Sequence, residues 1–190
     1  MNLDFWMRLL TIMIFVLVRA YWYSAKQQAL FNKQKSPNKW MYLEKTGIIL
    51  GGIFILVTLF GFTVFTFENT IIQILGFILV ILGCAEAIVG RHILGNNWAG
   101  SYEYQIKKDH KLIINGIYKY IRHPIYGGMW IAVTGAFIVA KTYLFIPIFF
   151  LLMIVMTYLA RREENLLREH FGKQYADYME KARMFIPWVY

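Results

Sequence analysis

The chain has 190 residues, of which 58% are hydrophobic, 18% aromatic and only 16% charged. Soluble domains usually carry about a quarter charged residues and under half apolar ones, so an ordinary soluble enzyme and a disordered chain are both excluded. The one cysteine, Cys84, cannot close an intramolecular bridge, and the net charge of +9 raises either nucleic acid or an anionic membrane as a partner.

Five stretches are apolar enough to cross a hydrocarbon core about 30 Å thick: 5–23, 47–66, 71–89, 126–140 and 143–160. The expected fold is therefore all-α and integral to the membrane, with five transmembrane helices. The first span is a retained helix, because Asp4 sits where a signal peptide has basic residues and no small-x-small site follows. Its Arg19 can snorkel to the headgroups. Glycines at 47, 51, 52 and 61, and later at 127 and 128, suit close helix packing. Glu86 lies within the third span; it serves a substrate, snorkels, or pairs with Arg91.

Seventeen of the twenty basic residues fall in 24–46, 90–125 and 161–190, alternate segments of a five-span chain. The positive-inside rule then places the N-terminus outside and the C-terminus in the cytosol. The charge reads as contact with anionic lipid rather than nucleic acid. Residues 1–90 read as a three-helix scaffold and 91–190 as the part that carries chemistry.

The segment 91–125 is too long and polar for a simple turn, and such loops are commonly functional. It ends in Arg122-His-Pro-Ile-Tyr126, where Pro124 opens the fourth span. Proline suits the first helical position, with a polar residue such as His123 before it. The helix then presents unpaired N–H groups and its positive dipole end to the cytosolic interface, where a carboxylate is stabilised. The pattern of the fifth span continues over 144–170, about 40 Å at about 1.5 Å per residue. Its last turns therefore stand outside the hydrocarbon, and the hairpin through Lys141-Thr142 brings Glu163 and Glu164 near the amino end of the fourth helix.

Arg122-His-Pro-Ile-Tyr126, preceded by His110-x-Leu and Gly116-Ile-Tyr118 and followed by Glu163-Glu164 and Phe171-Gly-x-x-Tyr175-x-x-Tyr178, resembles the isoprenylcysteine carboxyl methyltransferase family. Integral-membrane phospholipid methyltransferases share the outline. The resemblance covers 94–187, and Leu94-Gly-Asn-Asn-Trp98 is similar to the prokaryotic branch, which implies a prokaryotic cell membrane. Each piece alone is weak; their order and spacing on both sides of a hairpin are specific.

The resemblance implies S-adenosylmethionine as methyl donor, S-adenosylhomocysteine as product, and a cytosol-facing pocket. Cofactor contacts carry over to His110, Lys111, Leu112, Ile113, Tyr118, His123, Pro124, Ile125, Tyr126 and Glu163, with Glu103 where the family has glutamine. Tyr118 and Tyr126 would face the sulfonium, Glu163 the ribose or amine, and the helix start the carboxylate. Arg162 and Glu164 are the implied acceptor contacts. The acceptor is a lipophilic or prenylated molecule: an isoprenylated cysteine carboxylate first, then a lipid amine or another lipophilic acid. A carboxylate nucleophile needs no general base, whereas an amine needs one. One departure bears on the acceptor: Leu159 stands where the family has an arginine.

Other readings stay open. His123-Pro124 alone is a helix cap, and Glu163-Glu164 also reads as a solvated helix end neutralised by Arg161 and Arg168. A membrane reductase of the sterol type shares an Arg-His-x-x-Tyr run and uses NADPH, but its neighbouring residues differ from Tyr118 and Gly127-Gly128. A channel or structural subunit leaves the clustered polar and aromatic groups unexplained. His92 and His170 lack partners at ligand spacing, so no metal site is expected.

Overall fold

The computed structural model describes residues 2–27, 39–98 and 110–186. Among them the chain forms six α-helices: α1 Leu3–Gln27, α2 Lys39–Leu59, α3 Thr70–Leu94, α4 Pro124–Val139, α5 Phe145–Phe171 and α6 Lys173–Lys181. The described residues contain no strand, only two isolated bridges. By length and composition α3 and α5 are apolar enough to cross a membrane, and shorter apolar helices run over Lys45–Leu59 and Pro124–Val139.

The most intimate pairing is antiparallel, α3 against α4, and glycines set it. Gly76, Gly83 and Gly90 recur every seven residues on α3, and Gly128 and Gly135 do so on α4. A Cβ on Gly83 would come within 2.6 Å of the Ala132 nitrogen, and closer still to the Gly128 carbonyl oxygen. One on Gly128 would lie 2.8 Å from the Ala87 nitrogen, and one on Gly135 2.6 Å from the Gly76 carbonyl oxygen. Backbone therefore touches backbone, which only a missing side chain allows. A seven-residue spacing keeps the contact on one face of both helices.

The glycines expected at packing positions are mostly elsewhere. Around Gly47, Gly51, Gly52 and Gly61 no described atom lies within 4 Å of an added Cβ. The second span also ends earlier than expected, at Leu59 rather than 66. Gly61 takes a left-handed φ of +96°, and the chain beyond it pairs with the α4–α5 turn instead of extending the helix. The Phe67 amide donates to the Lys141 carbonyl at 2.9 Å, and the Tyr143 amide to that of Phe65 at 2.9 Å. Arg91 and His92, expected at the head of a loop, form the last turn of α3, which Gly95 terminates.

A polar cluster ties the helix ends together where α1, α3 and α5 begin. Arg8 pairs with Asp4 at 3.0 Å and donates to the Ala140 carbonyl at 3.0 Å. Gln73 donates to Asp4 and, at 2.9 Å, to the Val139 carbonyl. These bonds satisfy carbonyls that helix termini leave without partners. They also explain how Arg8 is accommodated within an apolar helix.

Candidate active site

At the opposite end, His123 precedes α4 and Pro124 occupies its first turn, as the sequence predicts. Proline has no N–H to lose there, and the amides of Ile125 and Tyr126 are among those a helix start leaves without an intrahelical acceptor. α5 reaches the same end: His123 Nδ1 lies 3.9 Å from Glu163 Oε2. The hairpin expected from the sequence therefore forms, with Tyr126 and Glu163 at one mouth.

The residues after α6 hold this mouth. Gly172, with φ +53°, ends α5 and turns the chain directly into α6. Past α6 the chain runs alongside 121–123 as a short parallel bridge. The Arg122 amide donates to the Arg183 carbonyl at 2.7 Å, the His123 amide to that of Met184 at 3.0 Å, and the Arg183 amide to that of Tyr120 at 2.9 Å. The guanidinium of Arg122 completes the strap. It pairs with Glu164 at 2.7 Å and donates to the carbonyls of Met179 and Ala182. Tyr178 donates its hydroxyl to the Tyr118 carbonyl at 2.6 Å, and Tyr175 is buried beside it.

Glu164 is 4% exposed, so it is no solvated helix end. Its partners are Arg122 and His123, whose Nε2 lies 3.2 Å from the same Oε1, rather than Arg161 and Arg168. Glu164 lies one turn beyond the apolar part of α5. Burial pushes its carboxyl up, but hydrogen bonds and charge from His123 and Arg122 outweigh that, so it titrates below the ordinary carboxylate range. An ionised Glu164 requires His123 to donate through Nε2, leaving Nδ1 toward Glu163. The burial of Glu164 also speaks against its expected contact with an acceptor. Glu163 is the accessible carboxylate, its side chain 42% exposed.

The remaining expected residues divide. Tyr126 stacks on His123, ring centroids 5.7 Å apart, and His123 in turn lies 3.9 Å from Glu163. Tyr118 is buried and donates its hydroxyl to the Gly90 carbonyl at 3.3 Å. Burial and the nearby Glu163 charge hold its phenol far above the usual range, so it remains neutral. His110 packs against Phe171, ring centroids 5.8 Å apart. The Lys111 amide donates to Asn97, and Leu112 packs on the Tyr175–Tyr178–Ala182 cluster. Ile113, Ile125 and Arg162 are half-buried. Glu103 lies outside the described residues.

Leu159 packs against an apolar cluster of Trp130, Met156, Ala160, Met184 and Phe185 directly beneath the mouth. It thus contributes an apolar wall where the family resemblance has a cation. Arg122 was not among the expected site residues although it stands in the quoted motif; its role depends on a tail sixty positions away. Among the described residues, no three His, Cys, Asp or Glu side chains gather as a metal site would require.

The family model described as phospholipid methyltransferase matches residues 71–174, from α3 through the start of α6. The protein-S-isoprenylcysteine O-methyltransferase of Saccharomyces cerevisiae is 27% identical over 126 residues, covering 66% of this chain and 53% of the yeast protein. The protein of that name from Tribolium castaneum is 31% identical over 98 residues, covering 50% of this chain and 34% of its own length. This chain thus spans between 34% and 64% of the length of the curated relatives it matches. The structure of a eukaryotic intramembrane Ras methyltransferase, an isoprenylcysteine carboxyl methyltransferase, aligns with a TM-score of 0.57 at 20% identity. The alignment covers 84% of this chain and 55% of that one, so the two share a fold. With its matched region running through the glycine-packed helix pair, the α4 amino end and the glutamates facing it, the chain belongs to the phospholipid methyltransferase family.

Proposed function

We propose that the chain is an integral-membrane methyltransferase that uses S-adenosylmethionine to methylate the carboxylate of an isoprenylated cysteine or a similar lipid acid. The observation that carries this reading is the convergence of Glu163, His123 and Tyr126 on the amino end of α4. The names of the curated relatives support the acceptor. The basic residues of 24–46, 90–125 and 161–190 support five spans with this mouth in the cytosol. Residues 91–190 would form the catalytic core and 1–90 a scaffold.

The residues present fit the cofactor. It bears a sulfonium, an ammonium and a carboxylate, and the mouth offers an aromatic ring, an accessible carboxylate and a helix N-terminus. When bound, S-adenosylmethionine supplies an electrophilic methyl group. Tyr126 would hold the sulfonium by its ring face, Glu163 would accept hydrogen bonds from ribose or ammonium, and the α4 amides would take the carboxylate. His110 to Ile113 and Tyr118 would line the site. Glu164 and Arg122 act as positioning residues, since their bonds fix His123 and the tail. Arg162 stands on the acceptor side. An acceptor carboxylate is already ionised near neutrality, so orientation is the main catalytic task, and Leu159, Trp130 and Phe185 would take the prenyl chain.

Calorimetric titration in detergent tests the reading. Tight binding of S-adenosylmethionine and S-adenosylhomocysteine is expected, and tight binding of NADPH alone would reject the assignment in favour of a reductase. Glu163→Ala should weaken cofactor affinity about tenfold or more, the scale of a hydrogen bond to a charged group. A methylation assay over prenylcysteine, phosphatidylethanolamine and fatty acids identifies the acceptor; activity on the phospholipid alone would replace the carboxylate reading with an amine one.

A further inference from the structure

Arg91 and the Leu94-Gly-Asn-Asn-Trp98 run have no part in the function proposed above, yet the fold joins them. Arg91 stands in the last turn of α3 and is only 3% exposed. A cation there suits the helix dipole, which accounts for the charge but not for its burial. His92, basic and in the same turn, stays exposed. Nor does Glu86 draw Arg91 inward, since it turns to Gly127, its Oε1 3.3 Å from where a Cβ there would stand.

What holds Arg91 is the turn that follows the helix. Gly95, with φ +49°, ends α3 and sends the chain into a tight turn over Gly95–Asn97. Arg91 Nη1 donates to the Gly95 carbonyl at 2.9 Å, and the guanidinium carbon stands 4.5 Å from the centroid of the Trp98 ring, within reach of a cation–π contact. The turn is thus fastened to α3 at both of its ends. Between them, Asn97 Oδ1 accepts the Lys111 amide at 2.9 Å. That bond ties the fastened turn to the start of the 110–113 segment, whose other contacts are His110 on Phe171 and Leu112 on the Tyr175–Tyr178–Ala182 cluster. A glycine alone suffices to end a helix, so helix termination does not explain the stacked ring or the asparagine.

We infer that Arg91 is a positioning residue for the methyl donor: by clamping Gly95 and Trp98 it fixes Asn97, and through Asn97 the backbone at Lys111. The inference rests on the methyltransferase reading, which makes His110 to Ile113 part of the cofactor site. Arg91 itself touches no ligand in this scheme, and its effect passes through the turn.

The test uses the full chain in detergent and leaves the buried cation in place, because deleting it would confound folding with binding. Trp98→Leu removes the ring face that Arg91 stacks on, and Trp98→Phe keeps one. Asn97→Ala removes the acceptor for the Lys111 amide, and Asn97→Asp keeps it. Thermal melting checks that each variant folds, and calorimetry measures S-adenosylhomocysteine. Trp98→Leu and Asn97→Ala should each weaken binding about fivefold to tenfold, while Trp98→Phe and Asn97→Asp stay near wild type. The double variant of Trp98→Leu and Asn97→Ala should bind no worse than the weaker single one, because both cut the same connection. Lowered melting with unchanged affinity overturns the positioning role and leaves the turn a structural cap. Losses that multiply in the double variant overturn the shared path, and failure of Trp98→Phe and Asn97→Asp to restore binding overturns the contacts assigned to it. A wild-type chain that does not bind S-adenosylhomocysteine overturns the methyltransferase reading and the inference with it.

Discussion

Arg122→Ala is expected to detach the segment after α6 from the mouth and to abolish cofactor binding. The substitution removes a buried ion pair to Glu164 and the donors to the Met179 and Ala182 carbonyls. Breaking a buried pair by deleting one partner costs about 3–5 kcal/mol, because the other charge is left uncompensated. The loss should appear as a lower melting temperature in detergent and as no measurable heat on titration with S-adenosylhomocysteine. Glu164→Gln keeps the side chain's shape and an acceptor oxygen, so its loss should be smaller. The pH dependence follows from the same pair. Glu164 titrates below the ordinary carboxylate range in the folded chain, so its stabilisation is complete above that range and disappears as pH falls through the folded value. Acidification should therefore lower the melting temperature of the wild type more than that of Glu164→Gln. Equal melting of wild type and Arg122→Ala at neutral pH would show that the strap does not hold the mouth.

Gly128→Leu should force α3 and α4 apart. A Cβ alone at this position would lie 2.8 Å from the Ala87 nitrogen and closer to the Gly83 carbonyl oxygen, and neither backbone can give way without moving its helix. Overpacking typically costs about 1–3 kcal/mol and sometimes more; here the obstruction is backbone, so the upper end or beyond is expected. Because α4 carries Tyr126 and follows directly on His123, while α3 carries Gly90, which accepts from Tyr118, cofactor affinity should fall together with melting temperature. Gly51→Leu is the control, since no described atom lies within 4 Å of a Cβ there. Near-wild-type melting of Gly128→Leu would mean that the helix pair is not held by this contact.

Much of the site was legible in the chain because its signals are local. Pro124 after His123 marks a helix start whatever surrounds it, since proline lacks an N–H and fixes φ. The pattern over 144–170 places Glu163 beyond the apolar stretch, and a two-residue hairpin returns it to the α4 start. What was not legible depends on partners distant in sequence. Glu164 and Glu163 are neighbours of the same type, yet one is locked to Arg122 and the other faces outward. The glycines show the same limit. Gly51 and Gly52 look as suited to packing as Gly83 and Gly128, and only the approach of a second backbone separates them.

By itself, then, the order of residues determined an all-helical chain, the start of the fourth helix, the overhang of the fifth and the constellation of motifs between them. Those follow from apolar periodicity and from the bonding limits of single residues. Tertiary structure alone decided that α2 stops at Leu59, that the tail clasps Arg122, and that Glu86 faces Gly127. Each of these is settled by which remote backbone supplies a hydrogen bond or leaves a gap, and that depends on the register in which the helices finally meet.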